Sequence, residues 1–256
     1  DIPTGLTPNE FVAALRGEAD AARNGVTRGA SSGSVRAHQW HLDVTGTTGA
    51  RVPGVVVAVL DTGVAYEDYA DAGGTYAAAG SLKDTEIVAP ADLVNSDSHA
   101  NDDHQHGTHI ASIIASQGDM EGVPPGVALI PIKVLDAHNT GTEIDLIDGI
   151  YHAVDHGADV INMSLSFRPG FVPSPALLDA IAYASQMGVV MVAAAGNDAL
   201  DQASWPAAHR EVIGVAAGTS VNKGRGTWAQ KQGWAPYATR GPSVDVVAPG
   251  GRLDQD

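Results

Sequence analysis

Six apolar residues in a row, 55–60, run straight into Asp61-Thr62-Gly63. Side chains alternate between the two faces of a strand. An unbroken apolar run therefore predicts a strand whose sheet is covered on both sides. Further, mostly apolar runs lie at 128–134, 160–163, 189–194 and 212–216. Helical patterns separate several of them. Thr142-x-x-Asp145 reads as a capping box, and Ile147, Ile150, Tyr151 and Val154 follow it on one helical face. Ser174-Pro175 opens a second helix carrying Leu178, Ile181 and Ala182, and Gly188 ends it. A third starts near His106 and continues through the apolar stretch 110–115. Buried strands alternating with amphipathic helices predict an α/β fold: a three-layer, doubly wound, mostly parallel sheet with helices on both faces. Ligands on such sheets bind beyond the carboxyl ends of the strands.

Residues 1–34 read differently. Thr7-Pro8-Asn9-Glu10 caps a short helix with Phe11, Leu15, Ala19 and Ala22 on one face, Asn24-Gly25 stops it, and a Gly/Ser-rich linker follows. The expected organisation is an N-terminal arm over 1–34 and one domain over 35–256. The start at Asp1-Ile2-Pro3, without Met, reads as a processed terminus. The formal net charge of −16 argues against a nucleic-acid partner, because phosphates need a basic face. The chain has no Cys, which excludes thiol nucleophiles and disulfides. Its apolar runs are too short to span a bilayer.

Three polar clusters sit at strand ends or helix starts. Asp61 follows the 55–60 strand, where it either caps a turn or acts in a cleft at the sheet edge. His106 lies in His104-Gln105-His106-Gly107-Thr108-His109, at the first turn of the apolar helix. An imidazole there serves as a base if another group orients its second nitrogen. Gly107 leaves room for a substrate or a neighbouring backbone. His99, His104, His106 and His109 with Asp102 and Asp103 also form a possible metal set, but their spacing is not that of a His-Glu-x-x-His zinc helix. Asn197, after Ala194-Ala195-Gly196, is either a turn residue or a side-chain donor to a developing oxyanion.

Taken in order, these clusters resemble the subtilisin family, from about Gln39 to Pro249. The matching text is Val57-Ala58-Val59-Leu60-Asp61-Thr62-Gly63, His106-Gly107-Thr108-His109-Ile110-Ala111, Lys133-Val134-Leu135, Asp159-Val160-Ile161-Asn162-Met163-Ser164-Leu165, Ala194-Ala195-Gly196-Asn197 and Val246-Val247-Ala248-Pro249-Gly250. The resemblance implies a serine endopeptidase in which Asp61 orients His106, His106 is general base and then acid, and Asn197 donates to the oxyanion. It implies that an extended peptide lies between Asn139-Thr140-Gly141-Thr142 and Ser164-Leu165-Ser166, with Leu135 also in contact. It implies that Ala194, Ala195 and Gly196 line the primary specificity pocket. Relatives often carry Gly where this chain has Ser166 and Gln105.

The family's nucleophile lies in a Gly-Thr-Ser-Met-Ala-x-Pro motif after the Ala-Pro-Gly segment, and the residues after Gly250 do not contain it. Gly218-Thr219-Ser220 is not that motif: Val221-Asn222-Lys223 follows it, and it precedes Ala248-Pro249-Gly250. The expectation is therefore a second chain or a cleaved C-terminal segment that supplies the Ser and its core-filling helix. Calcium is the expected cofactor, at acidic loops that include Asp102 and Asp103, and Asp254 and Asp256. A secreted location follows from the resemblance and the processed start. The competing reading is an inactive member of the fold retained as a peptide-binding or assembly module.

Overall fold

The 55–60 run forms the middle of a sheet. In the computed structural model, which describes residues 42, 45, 51–70, 74–117, 122–123, 126–220 and 232–250, β1 is Val56–Asp61. A short antiparallel pair, β2 (Tyr69–Ala70) and β3 (Thr75–Tyr76), and the brief β4 (Ala91–Asp92) follow. Then come α1 (His106–Ala115), β5 (Ala128–Lys133), α2 (Glu143–Asp155), β6 (Val160–Met163), α3 (Pro175–Gln186) and β7 (Val190–Ala194). The described residues finish with β8 (Val212–Ser220), β9 (Gln232–Trp234) and β10 (Val246–Pro249). The sheet order is β10-β8-β7-β6-β1-β5-β4, with every pair on that path parallel and β9 antiparallel to β8. The expected α/β, mostly parallel architecture is present.

The two faces of β1 enter different cores. Val57 and Val59 pack with Leu129 of β5 and Ala111 and Ala115 of α1. Ala58 and Leu60 pack with Ile130 and Ile132 of β5, Leu146 and Ile150 of α2, and Leu177 and Ile181 of α3. That period-2 split explains why the strand tolerates no polar residue until Asp61. The helix starts follow their sequence signals. Thr142 accepts from the Asp145 N–H at 3.1 Å, and the Asp145 carboxylate accepts from the Thr142 N–H at 3.1 Å, a closed capping box. Ser174 caps α3, with Pro175 in its first turn. The face of α3 is one residue out from expectation: Leu177, Ala180, Ile181 and Ala184 are buried, whereas Leu178 and Ala182 are half-buried.

Coverage of the sheet is uneven. Residues paired in register point to the same face. Val160 and Val190 therefore share the α1 side with Val57, and Ala194 shares a face with Val215. Val57 is buried beneath α1, but Val160, Val190, Val192, Ala194 and Val215 are only half-buried, and Val246 on β10 is exposed. The chain crosses from one side of β1 to the other between β5 and β6, so the carboxyl end of β1 is a switch point of the kind that holds ligands. The arm expected over 1–34 lies outside the described residues.

Candidate active site

Asp61 ends β1 and is fully buried. Its Oδ1 accepts from the Thr62 N–H at 2.7 Å and lies 2.7 Å from Nδ1 of His106. A carboxylate only accepts, so this contact assigns the ring proton to Nδ1 and leaves the Nε2 lone pair free. Oδ2 has no hydrogen-bond partner among the described residues. His106 opens α1 and keeps one third of its side chain accessible. The hydrogen bond to Asp61 holds the imidazole above its ordinary pKa; burial opposes this, and the charges of Asp61 and Asp102 add to it.

A buried polar mesh fixes that contact. Asp102 Oδ1 accepts from the Thr62 hydroxyl at 2.9 Å and from the N–H groups of His104 and Gln105 at 2.9 and 2.8 Å. Its Oδ2 accepts from the Thr108 N–H at 2.9 Å and from the Thr108 hydroxyl. The Gly107 N–H donates to the Thr62 hydroxyl at 2.9 Å. The otherwise unpaired donors at the start of α1 are thus tied to the end of β1. Lys133, fully buried on β5, donates to the carbonyls of Thr62 (2.7 Å) and Leu135 (2.9 Å) and to Asp103 Oδ1 (2.6 Å). Gly107 permits the approach: a Cβ there would sit 2.1 Å from the Gly63 carbonyl oxygen and 3.1 Å from Asp61 Cβ.

His106 forms one wall of a cleft of about 690 Å³. Leu135 and Gly141 line one edge, Ser164, Leu165 and Ser166 the other, and Ala194, Gly196 and Asn197 the floor end of β7. Asn197 is exposed there. Ala195 departs from expectation. It is fully buried in the α2–α3 core, its N–H bonded to Val215 and its carbonyl to Ser204, and it does not line the cleft. Ala195 follows the last residue of β7, and its side chain packs into the core while its backbone bonds to Val215 and Ser204. Ser220 ends β8, where it pairs in register with Gln232.

The carboxylates expected to bind calcium have internal partners of their own. The oxygens of Asp102 receive five internal donors, and Oδ1 of the exposed Asp103 is paired with Lys133. Among the described residues, no group of three or more His, Asp or Glu is placed to hold a metal. His99 instead pairs with Glu67 at 2.8 Å and stacks on Tyr69. Asp254 and Asp256 lie outside the described residues.

With this geometry in hand, comparison with known proteins decides the family. The profile described as the subtilase family matches residues 53–255. The chain belongs to the subtilase family. It is 35% identical over 203 residues to Subtilisin DY of Bacillus licheniformis, which covers 77% of this chain and 64% of that one. It is 30% identical over 224 residues to the minor extracellular protease Epr of Bacillus subtilis (strain 168), covering 83% of this chain and 30% of Epr. A crystal structure of a cold-adapted subtilisin-like serine proteinase superposes with a TM-score of 0.59 at 26% identity, covering 77% of this chain and 63% of that one. The chain thus spans less than two thirds of the length of these subtilase relatives.

Among the residues of this subtilase's cleft that were not singled out from sequence are Phe167, Arg168 and Phe171. The signal for them was Pro169-Gly170, a turn dipeptide placed directly after the Ser164-Leu165-Ser166 edge.

Proposed function

We propose that this subtilase is a serine endopeptidase whose nucleophilic Ser is borne by polypeptide outside these 256 residues. The observation that carries the proposal is the 2.7 Å contact between Asp61 and His106 at the wall of a cleft that Asn197 also lines. His106 Nε2 takes the proton from the incoming hydroxyl and returns it to the leaving amine. Asp61 holds the tautomer and stabilises the imidazolium without taking the proton. The Asn197 amide donates to the tetrahedral oxyanion. An extended peptide adds as a strand between the 139–142 and 164–166 edges. The half-covered valines of β6, β7 and β8 favour an apolar helix behind the Ser, since apolar area of this kind is seldom left bare.

Two finer points belong to the same proposal. The protein acts outside the cell, in keeping with the name of Epr. Calcium belongs to the same proposal, at acidic loops that include Asp254 and Asp256. No helix among the described residues is long and apolar enough to cross a membrane.

The test is peptide hydrolysis by the complete protein and three variants. His106→Ala abolishes turnover. Asp61→Asn lowers it about 10,000-fold by stabilising the wrong tautomer. Asn197→Ala lowers it about 100- to 1,000-fold; subtilisin itself is the reference case for that loss. Hydrolysis that survives His106→Ala at the wild-type rate rules the proposal out.

A further inference from the structure

The segment after the Ser164–Ser166 edge forms a preset turn at the rim of the cleft. Phe171 N–H donates to the Arg168 carbonyl at 3.1 Å, Pro169 follows Arg168, and Gly170 has φ 85°. Pro in the second position and a positive-φ Gly in the third are the requirements of a type II turn. The turn is clamped at its base, where the Phe167 and Phe171 rings stack 3.8 Å apart at an interplanar angle of 6°. The Phe167 N–H is bonded to the Trp205 carbonyl at 3.0 Å, and both rings pack on the α2–α3 core. Arg168 is thus carried on a fixed backbone rather than on a loose loop.

Its guanidinium is exposed, lines the cleft, and forms no ion pair among the described residues. Among the described residues that line the cleft there is no carboxylate, and Arg168 is the one permanently charged side chain. A planar fork of donors on a fixed backbone, with no internal partner, is suited to a carboxylate on the ligand. The chain around it is strongly acidic, at −16, so this cation is a local exception in the place where a peptide would lie.

We infer that Arg168 is a specificity-determining residue that selects peptides carrying an acidic side chain near the bond to be cut, beside an apolar residue resting on the Phe167–Phe171 pair. The inference rests on the cleft being the peptide groove of the proposed endopeptidase. Because the turn is already formed, little ordering is lost when the ion pair is made, and the preference appears as affinity.

The experiment uses the complete protein and fluorescent peptides that differ only in one residue, Glu, Gln or Lys, moved through four positions on each side of the central bond. Cleavage and equilibrium binding are read separately, the latter by anisotropy. At one position Glu exceeds Gln by about fivefold to tenfold and Lys falls below both, with the ratio shrinking as salt rises. In Arg168→Ala the Glu/Gln ratio collapses to about one. In Arg168→Glu the order reverses, with Lys preferred. Ratios taken within one variant cancel any change in folded fraction. If binding shows this pattern while no peptide is cleaved, the acidic selectivity stands and the endopeptidase reading fails. If Glu, Gln and Lys peptides behave alike in both readouts, or if the preference persists in Arg168→Glu, the inference is overturned.

Discussion

Asp61 raises the proton affinity of His106, and the two consequences for pH have opposite signs. The proposed base must be neutral, so activity rises as the pH climbs through a His106 pKa held above the ordinary value of about 6.5. Stability runs the other way. A raised folded pKa contributes fully below the unfolded value and is lost as the pH rises through the folded one. Asp61→Asn moves the acid limb of the rate–pH profile to lower pH, which a rate–pH series reads directly; an unmoved limb contradicts the contact. One position before the imidazole, Gln105 has φ 87°, a left-handed conformation that costs a side-chain-bearing residue about 1–2 kcal/mol. That is a physical reason to expect Gly here, as the family resemblance implies. Gln105→Gly should stabilise the fold by up to about 1 kcal/mol, once the extra freedom of Gly in the unfolded chain is subtracted. Thermal unfolding checks this, and a lower midpoint contradicts it.

The joint between β1 and α1 depends on Asp102 more than its sequence position reveals. Burial alone would raise its pKa, but the Thr108 hydroxyl and the N–H groups of His104, Thr108 and Gln105 outweigh it and hold the carboxyl below the usual range. That stability is present above the ordinary carboxylate pKa and is lost as the pH falls through the depressed one. Asp102→Ala should cost about 3 kcal/mol or more, because several donors lose a charged acceptor together, and the acid-unfolding midpoint should change with it. Lys133→Met should cost about 1–3 kcal/mol by leaving the buried carbonyls of Thr62 and Leu135 without their donor; denaturant titration measures both. Neither role was legible in the sequence. Asp102 looked like a loop carboxylate open to calcium, and only the folded backbone of 104–108 reveals that its oxygens are already used. By contrast β1, β5, β6, β7 and the start of β8 were legible, because central strands of a covered sheet are mostly apolar, with only Lys133 and Asn162 as polar exceptions in β5 and β6. The two-residue strands β2, β3 and β4 are too short to show any period. Ala195 was misjudged because a run of three Ala carries no sign of which member faces the cleft.

The assembled sheet accounts for where chemistry sits. Asp61, His106 and Asn197 come from three separate segments, and the crossover of the chain on either side of β1 brings them to one end of the sheet. That convergence was legible from motif order, since each cluster follows a buried strand or opens a helix. The Phe167–Arg168–Phe171 turn was not, because its contribution depends on ring stacking that no spacing rule encodes. The uneven cover of β6, β7 and β8 is consistent with a Ser-bearing helix completing the α1 side. A serine-directed fluorophosphonate addresses this central claim most directly. The complete protein is labelled, digested and mapped by mass spectrometry, alongside His106→Ala. The account predicts one labelled Ser, outside residues 1–256, whose labelling disappears in His106→Ala. Label on Ser220 or on any other Ser of these 256 residues, or labelling indifferent to His106, contradicts it.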